Sequence, residues 1–156
     1  MHTRGMELET REWLQGRISG GLAAGIGIAW FVAYQVAGSL EPVTHQPEPW
    51  FGIALNIGLL GLIAATATGL IMQRRWGLVV SVAAALAFTA LSVACPVSGH
   101  HPFGAWWLGQ MACALGMVGA SVAALSWSSR DEQSDEPAAP DAERGVVSAG
   151  DAASRG

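Results

Sequence analysis

Four long apolar segments separated by short polar connections dominate the pattern of hydrophobic positions along the chain. They cover residues 18–40, 50–72, 76–97 and 103–127. Each is longer than about 20 residues, the length at which a helix rising 1.5 Å per residue crosses a hydrocarbon core of about 30 Å. Because the apolar residues do not alternate with polar ones, helices are predicted rather than barrel strands. The expected fold is all-α, an integral membrane four-helix antiparallel bundle with short connecting loops.

The segments on either side of this bundle differ in composition from it. Residues 1–17 form a predicted cytoplasmic segment with an interfacial helix, because apolar Trp13 and Leu14 accompany Glu7 and Arg11 at i, i+4 spacing. Residues 128–156 are polar and acidic, which predicts a disordered cytoplasmic tail. A signal peptide cleaved near Ala37 is an alternative interpretation of the first span, although acidic residues in its leader argue against it.

The distribution of charge supports a membrane location. Between residues 50 and 129 the only charged side chains are Arg74 and Arg75, whereas a soluble domain needs a solvated outer surface. Arginines occur before the first span, between the second and third spans, and after the fourth. The other two connections contain none, so the positive-inside rule places both termini in the cytoplasm. The chain has no lysine and is rich in Ala, Gly and Arg, which suggests a bacterial plasma membrane. It has no basic patch of the kind that binds nucleic acid, so no nucleic-acid partner is expected.

Small residues recur at four-residue intervals within three of the spans. Such spacing lets helix backbones approach closely in lipid. The stripes fit packing inside one bundle, and they equally fit a homodimer or a larger membrane complex. They comprise Gly21 and Gly25, then Gly61, Ala65 and Gly69, and finally Ala112, Gly116, Ala120 and Ala124.

Every span carries a polar side chain in its predicted outer third: Gln35, Asn56, Ser92, with Cys95 beside it, and Gln110. An amide in hydrocarbon is costly without a partner, so two interpretations stay open. The four residues form interhelical hydrogen bonds that fix helix register, or they line a small ligand pocket open to the outer surface. In the inner half, hydroxyls are expected to bond to their own helix backbones, and no buried arginine is expected. These hydroxyls belong to Thr66, Thr68, Ser81 and Ser121.

The connection between the third and fourth spans, ACPVSGHHPFGAWW at residues 94–107, concentrates unusual side chains. Pro96 predicts that the third span ends near Cys95. Cys95, His100 and His101, with His45 from the other outer loop, are candidate ligands for Cu or Zn. An ordinary polar turn is the competing interpretation. A disulfide with Cys113 is not expected, because that residue lies too deep in its helix.

No motif specifies a reaction, so no catalytic residue is predicted. A four-helix transporter of the small multidrug type would need a glutamate inside the membrane, and a quinone-linked thiol oxidase would need cysteine pairs; the sequence has neither. The expected function is therefore that of a non-catalytic membrane scaffold or subunit. The alternative is binding or transport of a metal or small ligand by the Cys95, His100 and His101 loop.

Overall fold

The computed structural model describes residues 3–42, 50–99 and 103–134, and these form an all-α helical bundle. The helices are α1 (Thr3–Gln15), α2 (Gly20–Leu40), α3 (Trp50–Ile71), α4 (Arg75–Val97) and α5 (Ala105–Ser134). Helices α2 to α4, and α5 as far as Arg130, are long and apolar enough to cross a membrane. Many large apolar side chains on their outer faces are exposed, as a lipid-facing surface requires.

The predicted spans agree with α2 to α4 to within two residues at every boundary, but α5 is longer than predicted. A disordered tail was expected from residue 128, whereas α5 continues to Ser134. The first extra turn is held in place because Ser128 is buried and its carbonyl oxygen accepts a hydrogen bond from Arg75. The hydroxyl of Ser129 also bonds to the carbonyl of Leu125. The rest of the predicted tail, residues 135–156, lies outside the described residues.

The four long helices do not pack equally against one another. Helix α4 packs extensively against both α3 and α5, and α5 packs against α2. Helices α2 and α3 contact each other only sparsely, so they are separated by a gap whose base is formed by α4 and α5. This unequal packing positions the cavity described below.

Helices α3 and α4 approach most closely beside the turn that joins them. A Cβ atom added to Gly69 would lie 2.4 Å from Cα of Gly77, so two glycines are required there. Gln73 adopts the left-handed conformation with φ of 52°. The backbone N–H of Gln73 donates to the carbonyl of Leu70, and the backbone N–H of Arg74 donates to the carbonyl of Gly69. This is the Schellman arrangement that ends a helix.

The end of the bundle that contains this turn, here called the arginine end, also holds α1 and the last turns of α5. Arg17 and Arg74 pair as a short antiparallel bridge. Arg75 is only 1% exposed, its guanidinium bonds to the carbonyl of Ser128, and it lies 5.6 Å from the centre of the Trp13 ring. The expectation of no buried arginine was therefore wrong. Arg75 lies at a helix end, where backbone carbonyls and an aromatic ring can stabilise its charge.

Candidate functional site

A cavity of about 400 Å³ lies at the opposite end of the bundle, here called the cavity end. Its walls come from the last two turns of α2 and the first three turns of α3, and α4 and α5 form its base. It exists because α2 and α3 separate here while both remain attached to the α4 and α5 pair. Aromatic and aliphatic side chains contribute most of the apolar lining: Tyr34, Phe51, Leu55, Leu59, Phe88 and Leu91.

All four polar residues predicted from the sequence line this cavity: Gln35, Asn56, Ser92 and Gln110. Gln35 and Asn56 are exposed on the two walls, whereas Ser92 and Gln110 are buried at the base, 2% and 7% exposed. The Nε2 atom of Gln110 donates a 3.4 Å hydrogen bond to the carbonyl of Ala37 on α2. Within the described ranges, this is the only interhelical hydrogen bond found for the four side chains. The structure thus brings them around one space rather than into contact with one another.

The buried hydroxyl of Ser92 is the least satisfied polar group of the cavity. Its oxygen is shielded from solvent and has no hydrogen-bond partner among the described residues. An unpaired buried hydroxyl costs about 1–3 kcal/mol. Since native proteins rarely leave such groups unpaired, the hydroxyl would gain a partner if its side chain turned towards a molecule in the cavity.

The backbone carbonyl of Ser92, in contrast, is paired in an unusual way. Proline has no N–H, so Pro96 cannot donate the i to i−4 helix bond that this carbonyl would otherwise accept. The indole Nε1 of Trp107 on α5 donates instead, at 3.0 Å. With the carbonyl satisfied, α4 continues through Pro96 to Val97, two residues beyond Cys95, near which the sequence placed its end. Trp107 therefore joins the α4 and α5 parts of the cavity base.

Cys95 also lines the cavity, is half-buried and forms no disulfide. The other predicted metal ligands, His45, His100 and His101, lie outside the described residues. The described part of the chain contains no group of three or more His, Cys, Asp or Glu side chains that could hold a metal ion. Binding of Cu or Zn by these four residues stays a prediction.

Cys113, on α5, is a second half-buried cysteine that forms no disulfide. It packs against the hydrophobic core and does not belong to the cavity lining. The two cysteines thus occupy different environments on the same molecule, one in the cavity and one in the helix packing. This difference makes Cys113 a matched internal control for the reactivity of Cys95.

A buried hydrogen-bonded chain deeper in the bundle was missed by sequence reasoning. The indole Nε1 of Trp30 donates to the hydroxyl of Ser81 at 2.8 Å, and the hydroxyls of Ser81 and Ser121 are 2.7 Å apart. This chain connects α2, α4 and α5. The ring of Phe88, which lines the cavity base, lies 6.5 Å from that of Trp30. The hydrogen-bonded chain therefore lies next to the cavity base and stabilises the helices that form it.

Three of the four inner-half hydroxyls do not bond as expected from the sequence. Ser81 and Ser121 bond to each other across helices, so their assignment to their own backbones was wrong. Thr66 is buried and its hydroxyl has no partner among the described residues. Only Thr68 bonds as predicted, to the carbonyl of Ala64 at 2.9 Å. The mid-span position of Trp30 was the available signal, because a buried indole N–H usually finds an acceptor.

Comparisons with known proteins add no family to this description. No protein-family description matches the chain, and no curated protein or solved structure is significantly similar to it.

Proposed function

We propose that this chain is a non-catalytic multi-pass membrane protein that binds a small molecule in the cavity between α2 and α3. The observation that carries the proposal is the position of the unpaired Ser92 hydroxyl in a cavity lined by three amide side chains. The volume of about 400 Å³ falls within the range of about 300–1,000 Å³ typical of ligand sites. A mostly apolar lining with a few convergent polar groups is the usual composition of such sites.

The proposed location is the plasma membrane of a bacterium, with both termini in the cytoplasm and the cavity end facing outward. The described arginines near membrane-spanning helices support this orientation, since Arg17, Arg74 and Arg75 all lie at the arginine end. By the positive-inside rule that end is cytoplasmic. A ligand would then reach the cavity from the outer surface or from the outer leaflet of the membrane.

Binding is favoured over catalysis by the chemistry of the lining. The described lining residues supply amides, hydroxyls, one thiol and one carboxylate, in Glu41. They include no imidazole or amine that could act as a general base beside the thiol. These groups suit recognition of a ligand by hydrogen bonds rather than its chemical conversion.

A cavity-filling substitution tests the proposal. Gly38 lines the cavity, and a Cβ atom there would meet nothing within 4 Å, so Gly38→Leu should fill space without disturbing the backbone. Gly25→Leu is the matched control on the same helix, since Gly25 is equally unobstructed but does not line the cavity. Native mass spectrometry of the chain released from membranes should show a bound small molecule in the wild type and in Gly25→Leu, and its loss in Gly38→Leu. No bound molecule, or equal retention in both variants, would contradict ligand binding at this site.

A second candidate function, self-association as a scaffold, is favoured by a different observation. Four glycines of the predicted stripes face open space, since a Cβ atom at each would contact nothing within 4 Å: Gly21, Gly25, Gly61 and Gly116. Among the described glycines of these stripes, only Gly69 closely approaches the backbone of another helix in the same bundle, at Gly77. The outward-facing glycines are thus free to allow close contacts with a second copy or another membrane protein.

Cross-linking in native membranes tests this second function. If α5 forms the contact, Gly116→Ile should abolish a cross-linked dimer, whereas Leu115→Ile, at an adjacent exposed position on the same helix, should retain it. If α2 forms the contact, Gly25→Ile should have the same effect. Dimers unaffected by isoleucine at every one of the four glycines would exclude the stripes as the interface.

A further inference from the structure

We infer that Arg17 and Arg74 form a binding site for a phosphate group at the membrane surface, and that an anionic phospholipid supplies this group. The site lies at the arginine end, away from the cavity, and is independent of the ligand binding proposed above. The observation that carries the inference is that two like charges lie opposite each other without a carboxylate partner among the described residues.

The backbone places the two arginines directly opposite each other. Two backbone hydrogen bonds of 3.0 Å flank the pair, donated by the N–H groups of Ile18 and Arg75 to the carbonyls of Gln73 and Gly16 respectively. Arg17 and Arg74 therefore occupy the non-hydrogen-bonded position of an antiparallel bridge. Residues opposed in this position extend their side chains from the same side of the bridge, with Cβ atoms about 4.5–5.5 Å apart.

The two guanidinium groups bond only to uncharged acceptors within the described part of the chain. The Nη2 atom of Arg17 donates to Oε1 of Gln73 at 3.1 Å, and Nη1 of Arg74 donates to the backbone carbonyl of Gln15. Arg17 is exposed and Arg74 is half-buried. A guanidinium has five N–H donors, so each arginine can make these bonds and also donate to a ligand.

This pair of opposed positive charges favours a bound anion. Like charges directly opposite each other destabilise a pair of strands. Acidic residues occur in α1 and from residue 131 onward, but no carboxylate of the described residues pairs with Arg17 or Arg74. A phosphate group between the two guanidinium groups would offset their repulsion and accept charge-assisted hydrogen bonds from both, for which their planar geometry is well suited.

The surroundings of the pair favour the phosphate of a lipid over a soluble one. Arg17 and Arg74 lie just before α2 and α4, two of the helices long and apolar enough to cross a membrane. Ile71 and Met72, at the end of α3, are 82% and 56% exposed, so acyl chains can contact them beside the arginines. Basic groups between membrane helices are a recurring site for anionic lipid headgroups.

The test measures lipid retention by native mass spectrometry of the full chain in detergent micelles. The probes are dioleoylphosphatidylglycerol, which carries a net negative charge, and dioleoylphosphatidylcholine, which has the same acyl chains but no net charge. The chain should retain one phosphatidylglycerol at a concentration about tenfold lower than it retains phosphatidylcholine. Arg17→Gln and Arg74→Gln should each raise the phosphatidylglycerol concentration needed by about fivefold, and change that of phosphatidylcholine by less than about twofold.

Two variants serve as controls. Arg11→Gln removes the same charge from an exposed arginine of α1 that lies outside the bridge, so it should leave phosphatidylglycerol retention unchanged. Gly38→Leu, in the cavity lining, should leave it unchanged as well. Size-exclusion chromatography shows whether each variant stays folded, and the exposed position of Arg17 makes Arg17→Gln the safer of the two test substitutions.

Three results would contradict the inference. If phosphatidylcholine is retained as well as phosphatidylglycerol, or if Arg11→Gln weakens retention as much as Arg17→Gln does, the arginine pair is not a phosphate site. If glycerol 3-phosphate displaces phosphatidylglycerol at a comparable concentration, the site takes soluble phosphate compounds and its assignment to a lipid is wrong. Each of these results would leave ligand binding in the cavity unaffected, because the cavity is tested by Gly38→Leu.

Discussion

The two ends of the bundle solve the problem of buried polar groups in opposite ways. At the arginine end, α3 and α4 touch at Gly69 and Gly77, and the buried guanidinium of Arg75 is held by the Ser128 carbonyl and the Trp13 ring. At the cavity end, α2 and α3 separate and the buried hydroxyl of Ser92 has no partner among the described residues. Close packing is thus concentrated at one end, whereas α2 and α3 stay apart at the other.

This contrast resembles the general division of folded proteins into a stabilising scaffold and a less stable binding region. Regions that bind ligands are drawn from the parts of a structure with few packed contacts, and functional sites commonly break local rules of packing and hydrogen bonding. The Trp30, Ser81 and Ser121 chain lies between the two ends and joins α2, α4 and α5. It lies between the closely packed end and the open cavity.

The largest expected effect comes from breaking the helix contact at the arginine end. In Gly77→Ala the new Cβ atom would lie 2.6 Å from the carbonyl carbon of Gly69, so the helices must move apart. We expect a loss of about 2–4 kcal/mol in the free energy of unfolding, measured by denaturant titration in mixed micelles. Gly61→Ala on α3 is the control, since its Cβ atom would meet nothing within 4 Å. Equal stability of the two variants would show that the close contact is not important.

Removal of the Arg75 side chain should have the next largest effect. Arg75→Ala loses the bond to Ser128 and the contact with Trp13, and leaves the Ser128 carbonyl without this donor. We expect a loss of about 2–3 kcal/mol, together with faster hydrogen exchange in α1 and in the last turns of α5. Arg74→Ala is the matched control, because Arg74 bonds to the Gln15 carbonyl at an exposed position. If hydrogen exchange in α1 and α5 were unchanged in Arg75→Ala, this residue would not anchor either helix.

The sequence predicted well where the long helices lie and how deep each polar residue sits along its helix. It predicted less well which neighbour each polar side chain faces. Long uncharged runs can be stable only as lipid-crossing helices, so the four spans were predictable. Depth along each helix then placed Gln35, Asn56, Ser92 and Gln110 at one level, and the structure brings them to one cavity. Whether they bonded to one another depended on helix rotation and on the separation of α2 from α3, which no local pattern specifies.

The errors in prediction have the same origin. Ser81 and Ser121 were assigned to their own backbones because each helix was considered alone, but Trp30 and the crossing of three helices give them partners across the bundle. For a similar reason the end of α4 was placed two residues too early, near Cys95, and the tail was expected to begin at residue 128, where α5 still continues. In both cases a side chain from another helix, Trp107 or Arg75, stabilises backbone groups that a local rule leaves unpaired.

Breaking the central hydrogen-bonded chain should have an intermediate effect. Ser81→Ala leaves the indole N–H of Trp30 without its acceptor, which should cost about 1–2 kcal/mol in the free energy of unfolding. Trp30→Phe in the same background removes the unpaired donor, so the double variant should be less destabilised than the sum of the two single variants. Strictly additive losses in this double-mutant cycle would show that the 2.8 Å bond contributes no coupling energy.

The smallest change in stability is expected for Ser92→Ala, at the cavity end. Ser92 and Ser81 are both buried serines on α4, eleven residues and therefore about three turns apart, on the same helix face. Because the Ser92 hydroxyl has no partner within the described residues, Ser92→Ala should lower the free energy of unfolding by no more than about 0.5 kcal/mol, and relief of the unpaired hydroxyl should offset this loss or exceed it. The same substitution should reduce the amount of small molecule that the chain retains in native mass spectrometry, since it removes a hydrogen-bonding group from the cavity. A large loss of stability in Ser92→Ala would mean that this hydroxyl serves the fold, and the two ends would then differ in packing alone.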